Sequence, residues 1–238
     1  MRVAICALLT AFVLIPGAIL GIAAGGLVSE TLPGNPTDPI RLGLTVLSGF
    51  IGMFVGGAVW GWSISRFTRA GAGRRMAVAG GIGFALTTIV VFLALGFLED
   101  LVVEQQRGPQ LPIHNVFTLL FVPAAAIVAG ASGAALGFGM RDPAMAGRLL
   151  WMCAISGGSA FLVVNLTLDG LGFRVGAPGA AARATMMTTA LLGNLAAAMA
   201  GGAVIGYSAR GWSRAFAASG SRHSDHRRAQ RVRRPGGR

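Results

Sequence analysis

Six long blocks of mostly apolar residues follow one another along the chain, separated by short polar segments. An α-helix needs about 20 apolar residues to cross the hydrocarbon layer, whereas a barrel strand needs only about ten alternating ones. The blocks are continuous, so they predict helices over residues 3–27, 41–65, 76–98, 114–139, 149–171 and 184–208. The sequence therefore predicts an all-α integral membrane protein with six transmembrane helices.

Composition supports the same class and divides the chain in two. Hydrophobic residues make up 54% of the 238 positions and charged residues only 12%, against about a quarter in soluble domains. Residues 1–208 are predicted to form the six-span domain, and residues 209–238 a basic, mostly disordered cytoplasmic tail. The first apolar block is longer than a signal-peptide core of about 7–15 residues, so we interpret it as a true span.

Arginines, which supply all 20 basic residues, are distributed unevenly between the two ends of the predicted helices. Basic loops stay in the cytoplasm, so the end that is rich in arginine is expected to be cytoplasmic. Sixteen arginines share that end: Arg2, Arg66, Arg69, Arg74, Arg75, Arg141, Arg148 and the nine from Arg210 to Arg238. We therefore predict a multi-pass protein of the plasma (inner) membrane with both termini in the cytoplasm.

Arginines next to the spans also predict partners. They are expected to contact anionic lipid headgroups, and other membrane subunits are further candidate partners, whereas nucleic acid is not expected. The predicted lipid contacts are Arg66, Arg69, Arg74, Arg75, Arg210 and Arg214.

A glycine motif recurs at the arginine-rich end of each even-numbered span. It reads GAVWG over 57–61, GAALG over 133–137 and GAVIG over 202–206, and an aromatic residue follows each copy. Arg2, Arg75 and Arg148, which open the odd spans, are 73 residues apart. This spacing predicts three tandem pseudo-repeated helical hairpins, over about 1–74, 75–147 and 148–215.

The motif has a direct structural interpretation. Glycines four residues apart share one helix face and let a neighbouring backbone approach closely, which is how helices associate in lipid. The predicted helix-packing residues are Gly57, Gly61, Gly133, Gly137, Gly202 and Gly206.

Arg41, His114 and Arg183 form a second candidate set. Each precedes its glycine motif by 16 to 19 residues, about 24–28 Å along a helix, so all three are expected near the outer ends of the even spans. Around a threefold axis they would form an outer vestibule that favours anions. The alternative is that they snorkel outward to lipid phosphates.

The sequence gives little sign of catalysis. Gly130-Ala131-Ser132-Gly133 resembles the GxSG motif of rhomboid intramembrane proteases, which pair the serine with a histidine in the last span, but the sixth span here contains Asn194 and no histidine. A serine without a nearby base is a poor nucleophile. No catalytic, cofactor or metal site is predicted, and Cys6 and Cys153 are interpreted as small buried side chains.

Three functions stay open from the sequence. The first is a non-enzymatic accessory or scaffold subunit that packs within the bilayer. The second is a passive small-solute permease or channel, with anions as one candidate substrate, because no carboxylate lies well inside a span to couple transport to ions. The third is an intramembrane enzyme.

Overall fold

Six long helices make up the fold in the computed structural model. It describes residues 1–31, 38–68, 72–105, 113–171 and 187–209, with the backbone alone at 96, 98–105 and 113–119. The first five helices are α1 (Arg2–Thr31), α2 (Pro39–Thr68), α3 (Gly73–Gln105), α4 (Ile113–Gly139) and α5 (Pro143–Gly170). The sixth, α6, covers Met187–Ala209. All six contain a segment long and apolar enough to cross a membrane, as the block lengths predict.

Helices α1 to α5 are longer than the predicted apolar blocks, because residues at their ends continue the helical backbone, whereas the described part of α6 begins three residues after its predicted start. The largest difference at a helix start is in α5, which begins at Pro143, six residues before the predicted start of that span. Asp142 caps this helix, since its carboxylate accepts a hydrogen bond of 2.8 Å from the Met145 amide. Proline at the first helical position is well suited to this role, because its missing N–H needs no partner there. The capping residues therefore set this boundary.

Neighbours in sequence are neighbours in space. Each of α1 to α4 packs on the next helix along the chain. Helix α6 contacts α5 where Gly193 meets Phe161, and it contacts α1 where Gly202 meets Cys6. The six helices thus form a closed ring in which the last helix touches the first.

The main buried cluster lies toward the arginine-rich end and draws residues from all six helices. Ile64, Met76 and Leu149 are fully buried there, close in sequence to Arg66, Arg75 and Arg148. A smaller cluster of Ala125, Phe161 and Ala197 joins α4, α5 and α6 alone. The bundle core is therefore concentrated near one end of the helices.

Candidate functional site

The glycines of the repeated motif lie at close contacts between helices. A Cβ built on Gly57 would lie 2.6 Å from the Gly80 carbonyl oxygen of α3, and one on Gly133 would lie 3.0 Å from the Leu149 carbonyl oxygen of α5. A Cβ on Gly202 would lie 2.5 Å from the carbonyl oxygen of Cys6 in α1. Real Cβ atoms do not approach a backbone oxygen at the shortest of these distances, so a side chain at Gly57 or Gly202 would push the helices apart.

The second glycine of each motif contacts the same neighbouring helix one turn further on. Gly61 meets the carbonyl of Met76, Gly137 meets the backbone of Ala146, and Gly206 would carry its Cβ 2.8 Å from the Cα of Val3. All six motif glycines therefore face an odd-numbered helix: α2 faces α3, α4 faces α5, and α6 faces α1.

The large residue just before the second glycine points into the main cluster in every copy. Trp60, Leu136 and Ile205 are each at most 3% exposed. The aromatic residue just after that glycine, Trp62, Phe138 or Tyr207, is exposed in every copy. One turn of each even helix thus combines a backbone contact, a core side chain and an outward aromatic ring.

Thr10 joins three helices at the arginine-rich end. Its hydroxyl accepts a hydrogen bond of 2.9 Å from the indole Nε1 of Trp60 and donates one of 2.7 Å to the Cys6 carbonyl. A Cβ on Gly202 of α6 would lie 2.5 Å from the same hydroxyl oxygen. This threonine therefore links α1 to α2 by a hydrogen bond and forms part of the surface of α1 on which α6 packs.

A second glycine contact was missed by the sequence analysis. A Cβ on Gly56 of α2 would lie 2.6 Å from the Cα of Gly17 in α1, and one on Gly52 would lie 2.6 Å from the Cα of Gly21. A Cβ on Gly25 of α1 would lie 3.1 Å from the Thr45 carbonyl oxygen of α2. The signal was present, since Gly17, Gly21 and Gly25 are spaced by four residues, which puts them on one face of α1.

The three candidate vestibule residues are not brought together within the described residues. Arg41 lies at the start of α2 and donates from its guanidinium to the Ser29 carbonyl near the end of α1. His114 belongs to the first turn of α4, where the backbone alone is described, and Arg183 lies outside the described residues. A vestibule ring stays a prediction, and the contact made by Arg41 is within its own hairpin.

Three of the six predicted lipid-contact arginines lie in the described residues. Arg66, Arg74 and Arg75 are exposed, and the guanidinium carbon of Arg66 lies 3.9 Å from the centroid of the Trp62 ring. This stacking holds a cation and an exposed aromatic ring together, which suits the boundary between an apolar and a polar medium. Arg69, Arg210, Arg214 and the tail beyond Ala209 lie outside the described residues.

Three buried hydroxyls have no hydrogen-bond partner in the part of the chain that the structure describes. They belong to Thr88, Ser132 and Thr189, which are at most 5% exposed. No described side chain therefore acts as a hydrogen-bonded base for Ser132.

The described His, Cys, Asp and Glu side chains also form no group of three that could hold a metal ion.

A pocket near the arginine-rich end is small and almost wholly apolar. It is lined by Thr68, Met140, Met145, Leu149, Ile205 and Ala209, and its volume is about 10 Å³. One water molecule would fill that space.

Comparison of the chain with known protein families, with curated proteins and with solved structures finds no match.

Proposed function

We propose that the six helices span the plasma (inner) membrane with both termini in the cytoplasm. The lengths and hydropathies of the helices support insertion, and the exposed surface carries many large apolar side chains, such as Phe12, Leu20 and Trp151. The distribution of arginines supports the orientation. Single cysteines at Gly73 and Ser219 should resist an impermeant thiol reagent in intact cells, whereas one at Gln106 should react. The opposite pattern would reverse the topology.

We also infer that the chain consists of three tandem hairpins around a pseudo-threefold axis. Corresponding motif residues support this arrangement, because Trp60, Leu136 and Ile205 are all buried while the aromatic residues two positions later are all exposed. The direction of contact supports it too, since each motif faces the odd helix of the next hairpin in cyclic order. Two equal spacings of 73 residues between the arginines that open the hairpins agree with it.

The function that this geometry supports best is that of a non-enzymatic accessory or scaffold subunit packed within the bilayer. The observation that carries the proposal is the filled interior at the arginine-rich end, where large side chains from all six helices form one core. The described pocket beside that core holds about one water molecule. A solute path needs a continuous cavity, so a filled core favours a structural role. Interactions with other membrane subunits and with anionic headgroups follow from this role as proposals.

A passive permease is the second candidate, and the three buried hydroxyls without partners favour it. Thr88, Ser132 and Thr189 are buried polar side chains without a described hydrogen-bond partner, and a solute path through the bundle would need polar groups of this kind. The third candidate, an intramembrane enzyme, gains no support from Ser132, because no described hydrogen bond activates it.

Reconstitution separates the first two candidates. The full chain in liposomes of phosphatidylcholine and phosphatidylglycerol should give the same influx of glycerol, urea and chloride as empty liposomes. Solubilisation of native membranes in styrene–maleic acid particles should retain partner subunits with the chain. Saturable influx that is lost in Thr88→Val or Thr189→Val would instead establish the permease.

A further inference from the structure

Trp62 contacts both an arginine of its own helix and the first turn of α3. The guanidinium carbon of Arg66 is 3.9 Å from the centroid of the indole ring. A Cβ built on Gly73, at the start of α3, would lie 3.2 Å from the Cδ1 atom of the same residue. Arg74 follows Gly73 directly, and both arginines are exposed. The indole thus brings the guanidinium of α2 next to the backbone from which the Arg74 side chain starts.

Arg74 lies on the side of α3 that faces α2. It precedes Gly81 and Ala85 at helical spacing, which puts the three residues on one side of the helix. A Cβ on Gly81 would lie 2.8 Å from the Phe54 ring of α2, and Ala85 is fully buried. Arg66 and Arg74 therefore flank the same boundary between α2 and α3, at the arginine-rich end.

No acidic side chain compensates these two charges within the described residues. The sequence has no aspartate or glutamate between Asp38 and Glu99. Asp142 is the one acidic side chain described at the arginine-rich end, and its carboxylate accepts from the Met145 amide as the cap of α5. The boundary between α4 and α5 thus has its own carboxylate next to Arg141, whereas the boundary between α2 and α3 leaves two cationic side chains for an anion from outside the chain.

The surface that continues from these charges along the helices is apolar. Val55 and Val59 precede Trp62 on one face of α2, at spacings of four and three residues, and they are 54% and 47% exposed. On α3, Val78 lies one turn after Arg74 and is 52% exposed. Cationic groups at one end and apolar side chains along the rest match the two parts of an anionic phospholipid, its phosphate and its acyl chains. A soluble anion would use the first part alone.

We propose that Arg66, Arg74 and Trp62 bind the phosphate group of one anionic phospholipid, whose acyl chains lie along the valine-bearing faces of α2 and α3. A guanidinium matches phosphate in charge and geometry and donates two parallel hydrogen bonds to it. Stacking on Trp62 orients the Arg66 guanidinium before the lipid binds, so less side-chain entropy is lost on binding. This site presupposes the proposed insertion of the helices in a membrane, and it narrows the general attraction between arginines and headgroups to one boundary.

Native mass spectrometry of the full-length chain in detergent, titrated with phosphatidylglycerol, tests the site. The parent chain should bind one phosphatidylglycerol molecule more tightly than phosphatidylcholine. Arg66→Gln and Arg74→Gln should each weaken that binding about fivefold, the effect expected for one arginine near an anionic headgroup. Arg148→Gln is the matched control, because Arg148 is also exposed at the arginine-rich end, and it should leave the binding unchanged. Equal weakening by all three variants would show unspecific attraction and overturn the site.

Substitutions of Trp62 separate stacking from charge. Trp62→Leu removes the aromatic face and should weaken phosphatidylglycerol binding, whereas Trp62→Phe keeps an aromatic face and should retain most of it. Parent-like melting in detergent checks that both variants fold. Equal binding by the leucine variant and the parent would remove Trp62 from the site.

Two further measurements identify the source of the anion and test the membrane assignment separately. Inorganic phosphate in large excess should not displace phosphatidylglycerol, and displacement would assign the cationic cluster to a soluble anion instead. Chains that resist alkaline extraction from membranes yet bind phosphatidylglycerol and phosphatidylcholine equally would overturn the lipid site and leave the membrane assignment standing. Chains that alkali extracts would overturn both proposals.

Discussion

The α1–α2 and α5–α6 pairs are both held by glycines, but the glycines meet different partners. In the α1–α2 pair, glycines of one helix face glycines of the other. A Cβ on Gly56 would lie 2.6 Å from the Cα of Gly17. In α5–α6, a Cβ on Gly193 would meet the ring of Phe161, at 2.6 Å from its Cε2 atom. The first pair brings two backbones together, whereas the second makes room for a large side chain. The spacing of glycines along the sequence predicts that they face a neighbouring helix. The group that they contact there, backbone or side chain, determines how much stability a substitution costs.

The largest effect is expected from Gly56→Leu. Even one or a few added methylenes in a packed core cost about 1–3 kcal/mol, and here a whole side chain would meet a backbone that cannot rotate away. We expect α1 and α2 to separate, with loss of the folded bundle on thermal melting in detergent. Gly43→Leu is the matched control, because a Cβ at Gly43 on the same helix meets nothing within 4 Å. Equal melting of the two variants would contradict the close contact.

The motif glycines should behave in the same way. Gly57→Leu, Gly133→Leu and Gly202→Leu each place a side chain against a carbonyl oxygen of the adjacent helix. We expect lower melting temperatures in all three, and parent-like melting of all three would remove the motif from the helix contacts.

A smaller effect is expected at Phe161, where the comparison can be sharpened by compensation. Phe161→Ala should destabilise the fold by about 3–5 kcal/mol, because the buried ring leaves a cavity. Gly193→Leu should also destabilise it, but the double variant should lose less than the sum, since the leucine enters the space that the ring vacates. Steric-trap or denaturant unfolding measures the difference. If the losses of unfolding free energy in the two single variants simply add in the double variant, the side chains at positions 193 and 161 do not occupy the same volume.

Thr10→Val should cost less, about 1–3 kcal/mol, by leaving the buried Trp60 Nε1 without its acceptor. Combining Thr10→Val with Trp60→Phe removes the donor as well as the acceptor, so the double variant should lose less unfolding free energy than the sum of the two single variants. A valine variant with parent-like unfolding would show that the indole finds another acceptor.

The smallest effects are expected at the hydroxyls without partners. Thr88→Val and Ser132→Ala remove buried groups that make no described hydrogen bond, so stability should be unchanged or rise by up to about 1 kcal/mol. The unfolding midpoint measures this. A loss of more than 1 kcal/mol in either variant would show that its hydroxyl has a partner beyond the described residues.

Block length and hydropathy were enough to predict the six apolar helices, because both are local properties of the sequence. The ends were harder to predict, since α5 starts at a cap formed by Asp142 rather than at its first apolar run. The contact of Gly17 with Gly56 depends on how two helices cross, which neither helix encodes alone. Likewise, Trp60 and Trp62 are two residues apart and look alike in sequence, yet one is buried and the other exposed. Only the position of neighbouring helices separates them.

The position of Thr10 has a consequence for how the chain is made. Trp60, its partner in α2, emerges from the ribosome soon after α1, so the first hairpin can form early. The other surface of Thr10 is covered by Gly202, which is synthesised almost 200 residues later. Closure of the ring therefore cannot precede the synthesis of α6. A chain truncated before α6 would leave uncovered the surface of Cys6 and Thr10 that Gly202 contacts in the full chain.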